Sequence, residues 1–98
     1  ERVMRARERQ RARLSGTGAL CNGDMDGRLT RRKVQLDAAL TAGVLAARDR
    51  LNLSGRGHDR VLRVARTIAD LDDREHLRDT DLDEALSYRM EDGEALAA

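Results

Sequence analysis

A chain of 98 residues is long enough for one small hydrophobic core, which excludes a multidomain organisation. Charged residues make up 38% of it, but the formal net charge is only +1, so overall charge gives little reason to expect nucleic acid as a partner. The sequence has no Trp, Phe or Pro and a single Tyr, which argues against a β-sandwich and against an aromatic platform for single-stranded nucleic acid. Abundant Ala, Leu, Arg, Asp and Glu favour an all-α fold.

Cysteine content and hydropathy bear on the compartment. Cys21 is the only cysteine, so neither a disulfide nor a cysteine zinc site can form within the chain. No apolar run approaches the roughly 20 residues that span a bilayer, and the first residues lack a signal-peptide pattern. We therefore expect a cytoplasmic protein without a membrane partner. Because the sequence opens on Glu1 instead of Met, we also expect it to be a segment of a longer protein.

Residues 1–13 are rich in arginine and poor in apolar side chains. The few apolar residues follow the helical period only weakly, which predicts a basic connecting helix that docks lightly or not at all. The alternative is a basic arm that contacts phosphates. The arginines of this segment are Arg2, Arg5, Arg7, Arg9, Arg11 and Arg13.

Residues 14–27 contain four glycines among small polar residues, a composition typical of a flexible loop. The stretch Asp24–Gly27 has a faint likeness to a calcium-binding loop. Such a loop needs a third ligand before its glycine and a glutamate at its twelfth position, where this sequence has Gln35. The sequence therefore predicts no metal site.

The second and third helices are predicted from apolar residues spaced three and four apart. The second helix begins after the N-cap residue Asp37, and Thr30–Gln35 forms a short turn or helix before it. The third helix begins near Gly55 after the N-cap residue Ser54 and ends near Asp72. The apolar positions that carry the two patterns are Leu36, Leu40, Val44, Ala47, Leu51, Val61, Val64, Ala65, Ile68 and Leu71.

Arg56, Arg60 and Arg63 follow the helical spacing along one edge of the third helix, beginning in its first turn. Unpaired helix amides, the helix dipole and bidentate guanidinium donors all favour an anion at such an edge. The glycines on either side of Arg56 let a ligand approach the backbone closely. The alternative is that arginines of this helix form ordinary surface ion pairs, of which Asp59–Arg63 and Arg66–Asp70 have the i,i+4 spacing.

The fourth helix is predicted to run from a cap at Asp79 or Thr80 to Met90. Its inward positions are Leu82, Ala85 and Leu86. Residues 28–90 are thus expected to form the helical domain, and residues 91–98 a polar tail.

Catalytic motifs are absent from the sequence. His58 and His76 are separated by a whole helix and lack a neighbouring cysteine, so we expect surface or capping histidines instead of metal ligands or bases. No local arrangement of Ser, His and an acid occurs, and no phosphate-binding glycine loop with its lysine. The chain is therefore not expected to be an enzyme on its own.

Two stretches resemble the C-terminal lid of magnesium-chelatase-related AAA+ ATPases, in particular the ComM/YifB subgroup. Residues 53–71 read LSGRGHDRVLRVARTIADL, and residues 76–89 read HLRDTDLDEALSYR. Arg78 occupies the usual capping position of the last helix, which moves the expected start to Asp79. The resemblance implies a small four-helix bundle with a glycine-rich loop after its first helix. The helix that enters the lid matches at Arg2, Val3, Ala6, Arg7, Gln10 and Arg13.

The resemblance also implies a function for the parent protein. Lids of this kind pack over a nucleotide held by the preceding core domain, so ATP and Mg²⁺ are the expected cofactors of the parent. Arg56 matches the "sensor 2" arginine that reaches the terminal phosphates, and Arg60 is the second choice. The implied partners are the core domain and a neighbouring subunit of a ring. The isolated chain is expected to be monomeric and to bind ATP weakly or not at all, and the substrate of the parent is left open between a metal porphyrin, DNA and a protein.

Two other hypotheses stay open at this point. A nucleic-acid-binding helical domain would use the N-terminal arginines and the edge formed by Arg56, Arg60 and Arg63, and its affinity for duplex would fall steeply with salt. A purely structural interaction module would tolerate Arg56→Ala without functional loss.

Overall fold

The fold is entirely helical in a computed structural model, which describes the backbone of residues 1–97 and the side chains of residues 1–88. No strand occurs in this part of the chain, which confirms the all-α class. A 3-10 turn, Asn22–Asp24, lies between the first two helices. The five α-helices are α1 (Arg2–Leu14), α2 (Gly27–Lys33), α3 (Ala38–Leu51), α4 (Gly55–Leu71) and α5 (Asp79–Ala97).

Side-chain caps define where α2, α3 and α4 begin. The Leu40 amide donates to Asp37 Oδ1 at 2.7 Å, and the Gly57 amide donates to Ser54 Oγ at 3.0 Å. Each bond satisfies an amide that has no partner inside its own helix. Asp26 caps α2 in the same way. The caps predicted at Asp37 and Ser54 are therefore confirmed.

α1 packs against α4 along its length. Ala6, Gln10 and Leu14 are four residues apart, share one face of the helix and are buried. Beside this face, Arg9 Nε donates to Asp73 Oδ1 at 2.8 Å. The expectation that this segment docks lightly or not at all is therefore wrong. A narrow buried face with glutamine at its centre gives almost no hydrophobic period, which is why the sequence pattern missed it.

The segment between α1 and α2 contributes to the interior. Gly16 and Gly18 have φ of +81° and +84°, a left-handed backbone that favours glycine. After this turn, Asn22 and Met25 are buried. Part of segment 14–27, which has the composition of a loop, therefore packs against the helices.

α4 is the central helix, since it contacts α1, the 3-10 turn, α2 and α5. Of the positions predicted for the core, Val44, Ala47, Val61 and Ala65 are buried, as are those predicted for α5. The remaining predicted positions are partly buried at the edge of the core. The buried cluster consists of Leu14, Met25, Val34, Val44, Ala47, Leu53, Val61, Leu62, Ala65, Ala69, Leu77, Leu82, Ala85 and Leu86.

α5 begins at Asp79, which is earlier than a cap at Asp79 or at Thr80 allows. This first helical residue confirms the start expected from the resemblance. The flanking position belongs to Arg78, so the prediction of a cap at Asp79 or Thr80 is wrong. Asp81 accepts a hydrogen bond from the Arg78 amide at 2.8 Å and so satisfies a donor at the helix start. The backbone of α5 continues to Ala97. The predicted tail at 91–98 falls on residues whose side chains, and at 98 also the backbone, lie outside the described residues.

Candidate functional site

The N-terminus of α4 follows α3 after a connection of three residues. Asn52 has φ +52°, a left-handed backbone that ends α3 and that asparagine adopts more readily than most residues. Leu53 is buried in the core, and Ser54 caps α4. The first turn of α4 is therefore anchored by a buried side chain immediately before its cap.

Arg56 lies in this first turn and is exposed. Within the part of the chain that the structure describes, no group forms a hydrogen bond or ion pair with its guanidinium. A Cβ added at Gly55 would meet no atom within 4 Å, so the backbone beside Arg56 also faces open space. A cation at a helix N-terminus, where the dipole is positive, has no partner of opposite charge here and is available to an anion.

Arg60 is exposed as well, roughly 6 Å further along the axis of α4. It lines a groove of about 480 Å³ between α4 and α5, together with Ile68, Leu71 and Tyr88. The structure thus brings both predicted phosphate-facing arginines to the surface at one end of α4. Their role in binding a nucleotide stays a prediction.

Arg63 lines the same groove as Arg60, but its guanidinium is bonded within the domain. Its Nη1 donates to the Met25 carbonyl at 3.3 Å and to the Thr30 hydroxyl at 3.4 Å, which ties α4 to α2 and the residues before it. Asp59 pairs with Arg31 of α2 at 3.0 Å, so the predicted Asp59–Arg63 pair does not form. Of the three α4 arginines in the nucleic-acid hypothesis, Arg56 and Arg60 are exposed, and Arg63 is partly buried. The hypothesis stays a prediction.

His58 follows Arg56 by two residues and carries a buried Nδ1 atom for which the described residues offer no hydrogen-bond partner. Burial lowers the pKa of His58, and the positive charges of Arg48 and Arg31 lower it further against the opposing effect of Asp59. The imidazole is therefore neutral near pH 7. It adds no charge to the helix end that presents Arg56.

Stability should fall as the pH drops below about 6.5, the ordinary pKa of histidine, because protonating His58 places a charge on a partly buried ring. A group whose pKa is lowered in the folded state contributes stability above its unfolded pKa and loses it as the pH falls through the folded pKa. His58→Gln should remove this part of the pH dependence in urea unfolding between about pH 7 and pH 5. The matched variant at the exposed His76, His76→Gln, should keep it. Identical pH profiles for the wild type and His58→Gln would contradict the assignment.

A buried polar cluster joins α1, the 3-10 turn and α4. Asp70 is fully buried, and its two carboxylate oxygens accept from Arg13 at 2.6 and 2.8 Å and from Asn22 Nδ2 at 2.9 Å. Arg66 lies 3.2 Å from the same carboxylate, which confirms the Arg66–Asp70 pair expected from spacing. Gln10 Oε1 accepts from the Asn22 amide at 2.8 Å. Sequence reasoning missed this cluster because single polar residues in different elements produce no periodic signal.

Two arginines fix the connection from α4 to α5. Arg66 donates to the carbonyls of Arg74 and Glu75 at 2.7 and 2.8 Å. Arg74 binds both oxygens of Asp81 at 2.5 and 2.7 Å, and this hydrogen bonding raises the pKa of Arg74. Burial alone would raise the pKa of Asp81, but the bonds from Arg74 and from the Arg78 amide hold it below its ordinary value. These paired charges set the position of α5 against α4.

The two aspartates of the stretch that resembles a calcium loop serve the local backbone. Asp24 Oδ2 accepts from the amides of Leu20 and Cys21, and Asp26 Oδ1 accepts from the Leu29 amide. Among the side chains described, no three His, Cys, Asp or Glu are grouped as metal ligands would be. A helix both long and apolar enough to cross a bilayer is likewise missing from the described part of the chain.

A known protein family matches nearly the whole chain. Residues 1–89 match the family described as magnesium chelatase, subunit ChlI C-terminal. The chain belongs to that family. The match runs from α1 into α5 and includes the α4 N-terminus, so the resemblance seen in residues 53–71 and 76–89 is confirmed.

Curated relatives extend the family match. The chain is 39% identical over 90 residues to the uncharacterized protein Rv2897c of Mycobacterium tuberculosis (strain ATCC 25618 / H37Rv). The aligned region covers 92% of this chain and 18% of the relative. The chain is also 38% identical over 92 residues to the uncharacterized protein YifB of Escherichia coli (strain K12). That alignment covers 94% of this chain and 17% of YifB. The chain thus spans less than a fifth of the length of these relatives. No solved structure is a significant match to it.

Proposed function

We propose that this chain is the C-terminal helical lid of a magnesium-chelatase-like AAA+ ATPase and that it closes over ATP bound to a core domain of the same protein. Membership of the ChlI C-terminal family supports this proposal. Because the chain corresponds to less than a fifth of its curated relatives, such a protein has ample length for a core domain. In this proposal residues 28–90 form the lid bundle, and the glycine-rich loop at 14–27 follows the connecting helix.

The observation that carries the proposal is the exposed guanidinium of Arg56 at the N-terminus of α4, without a partner among the described residues. Most other arginines that face the body of the domain are held by carboxylates or carbonyls, as Arg13, Arg63 and Arg66 are. A cation without such a partner is suited to an anion that comes from outside the domain. Arg60, one turn further along α4, is the second candidate.

Lid closure would bring Arg56 to the terminal phosphates of the bound nucleotide. A guanidinium stays protonated and can donate to two phosphate oxygens at once, so it stabilises the charge on the transferring group. The lid would then open when this attraction changes on hydrolysis. Mg²⁺, which would neutralise further charge on the phosphates, is assigned to the core domain, because the described residues offer no cluster of metal ligands.

The proposed partners follow from this arrangement. The lid contacts its own core domain and, in a ring, a neighbouring subunit, and the assembly works in the cytoplasm. The isolated chain is monomeric and binds ATP weakly, because most of the phosphate-binding groups belong to the core.

Arg56→Ala in the full-length protein should lower the rate of ATP hydrolysis about 100-fold, the usual effect of losing one transition-state donor. The measurement is steady-state ATPase activity at saturating ATP, with circular dichroism to show that the variant is folded. Arg7→Ala, which removes another exposed arginine, from α1, is the matched control and should keep full activity. Loss of activity in Arg60→Ala with none in Arg56→Ala would transfer the role to Arg60, and unchanged activity in both would refute an arginine sensor in this lid.

A further inference from the structure

A basic cavity lies between α1, α2 and the connection from α4 to α5. Its volume is about 500 Å³. Arg66, in its wall, follows Arg56 by ten residues on α4, which places the two about 15 Å apart along the helix axis. The cavity is therefore separate from the proposed nucleotide-facing end of α4. Its charged lining residues include Arg9, Arg13, Arg32, Lys33, Arg66 and Glu75.

Two of these cations share one counter-charge. Arg13 and Arg66 both pair with Asp70, at 2.6 and 3.2 Å. The Arg66 side chain is only 5% exposed, and its Nε has no hydrogen-bond partner among residues 1–88. Burial lowers the pKa of Arg66, and the nearby charge of Arg13 opposes the effect of Asp70. The wall of the cavity thus contains two guanidinium groups with one carboxylate between them.

The other cations leave an excess of positive charge. Arg9 pairs with Asp73 at 2.8 Å. Arg32 and Lys33 have no hydrogen bond or ion pair from their side chains within the described residues, and Arg32 is exposed. Among the side chains that the structure describes, Glu75 is the one carboxylate that lines the cavity. The charge of the cavity lining favours an anionic ligand, because Arg32 and Lys33 are not neutralised within the described residues.

A second cavity, of about 430 Å³, adjoins the first. It shares Arg32 and Lys33 with the basic cavity and adds Arg28 from the same helix, with Asp26 as its acidic residue. α2 therefore presents a row of cations to two neighbouring depressions. Such a row can contact more than one anionic group of an extended ligand.

We propose that the basic cavity is a second phosphate-binding site, remote from Arg56, and that α2 extends it towards successive phosphates. Guanidinium groups match the geometry of phosphate oxygens, and a lysine adds a point charge. The only aromatic residue, Tyr88, lies on the groove between α4 and α5, so the site reads phosphates without stacking bases. The phosphate can come from a free anion or from a nucleic-acid strand. The row of cations favours the strand.

The test compares two variants that each remove two positive charges from the 98-residue chain. Arg32→Ser/Lys33→Ser removes the unpaired cations of the cavity, and Arg7→Ser/Arg11→Ser removes two exposed arginines of α1 that line neither cavity. The probe is a short fluorescein-labelled oligothymidylate, followed by anisotropy at low salt. We expect the cavity variant to weaken binding about 10-fold and to reduce the slope of log K against log salt by about 1.4, as for two lost single-strand phosphate contacts. The α1 variant should weaken binding less than about 2-fold.

A second arm uses inorganic phosphate and separates the two sources. Chemical-shift changes confined to the cavity residues with phosphate, without binding of the oligonucleotide, would retain the site and assign it to a free anion. Equal losses of affinity in the two double variants, or no binding of either probe, would overturn the proposal. Arg56→Ala removes an exposed arginine that lines neither cavity and should weaken oligonucleotide binding less than about 2-fold. The ATPase assay therefore tests the role of Arg56, and the oligonucleotide and phosphate assays test the cavity, so either proposal can fail without the other.

Discussion

Replacing Asp70 by alanine will lower the free energy of unfolding by about 3 to 5 kcal/mol, the usual cost of removing one partner of a buried ion pair. The carboxylate is fully buried, and it is the counter-charge for Arg13 and Arg66, whose side chains are 14% and 5% exposed. Without it, both guanidinium groups stay largely out of water with no carboxylate to balance them, and Asn22 loses an acceptor. Urea unfolding followed by circular dichroism measures the loss.

The same experiment needs two comparison variants. Asp49→Ala changes an exposed aspartate of α3 and should alter stability by less than about 0.5 kcal/mol. Asp70→Asn keeps the size of the side chain and one carbonyl acceptor, so it should lose less than Asp70→Ala. It supplies the measurement if the alanine variant does not fold, since the whole stability of a domain is only about 5 to 15 kcal/mol. A loss in Asp70→Ala no larger than that of Asp49→Ala would show that the buried cluster does not form in solution.

Leu62→Ala should cost about 2 to 5 kcal/mol, because it removes a side chain from the core and leaves a cavity that the surrounding helices fill only in part. Leu62 is 3% exposed on α4, the helix that contacts α1, α2 and α5. Leu45→Ala removes the same atoms from an α3 position that is 48% exposed and should cost less than about 1 kcal/mol. The two urea midpoints are compared at equal protein concentration. Equal losses would contradict the placement of α4 at the centre of the fold.

Local signals in the sequence were sufficient to locate the starts of the main helices. Asp37 and Ser54 cap α3 and α4 as expected, because an N-cap bond involves residues only three apart and needs no information about the rest of the fold. The apolar period of α4 identified its buried face for the same reason. Arg56 was placed in the first turn of α4 by these two signals together.

Contacts between distant residues could not be inferred in this way. Gln10, Asn22 and Asp70 meet in one buried cluster, yet they come from a helix, a loop and another helix and share no spacing. Arg63 had the correct spacing for Asp59, but Arg31 takes that carboxylate and Arg63 turns to the Met25 carbonyl. Tertiary partners outcompeted a local ion pair that is worth only a fraction of a kcal/mol, about 0.2 to 0.5.

The two candidate sites also differ in how far local signals in the sequence could predict them. The position of Arg56 was predictable, whereas its lack of a partner among the described residues is visible only in the structure, and its phosphate role comes from the resemblance to the family. The basic cavity was not predictable, because Arg13, Arg32 and Arg66 belong to three helices that the fold brings together. The weak apolar pattern of α1 concealed that its arginines line this cavity.

The attachment of α1 has a consequence for the order in which the chain folds. Its arginines bond to groups that follow them by 57 to 70 residues. During synthesis, therefore, α1 is made long before Asp70 and Asp73 exist, and closing a loop of that length has a larger entropic cost than forming the neighbouring α4 and α5 contacts. We therefore expect the central helices to assemble first and the N-terminal helix to join them last.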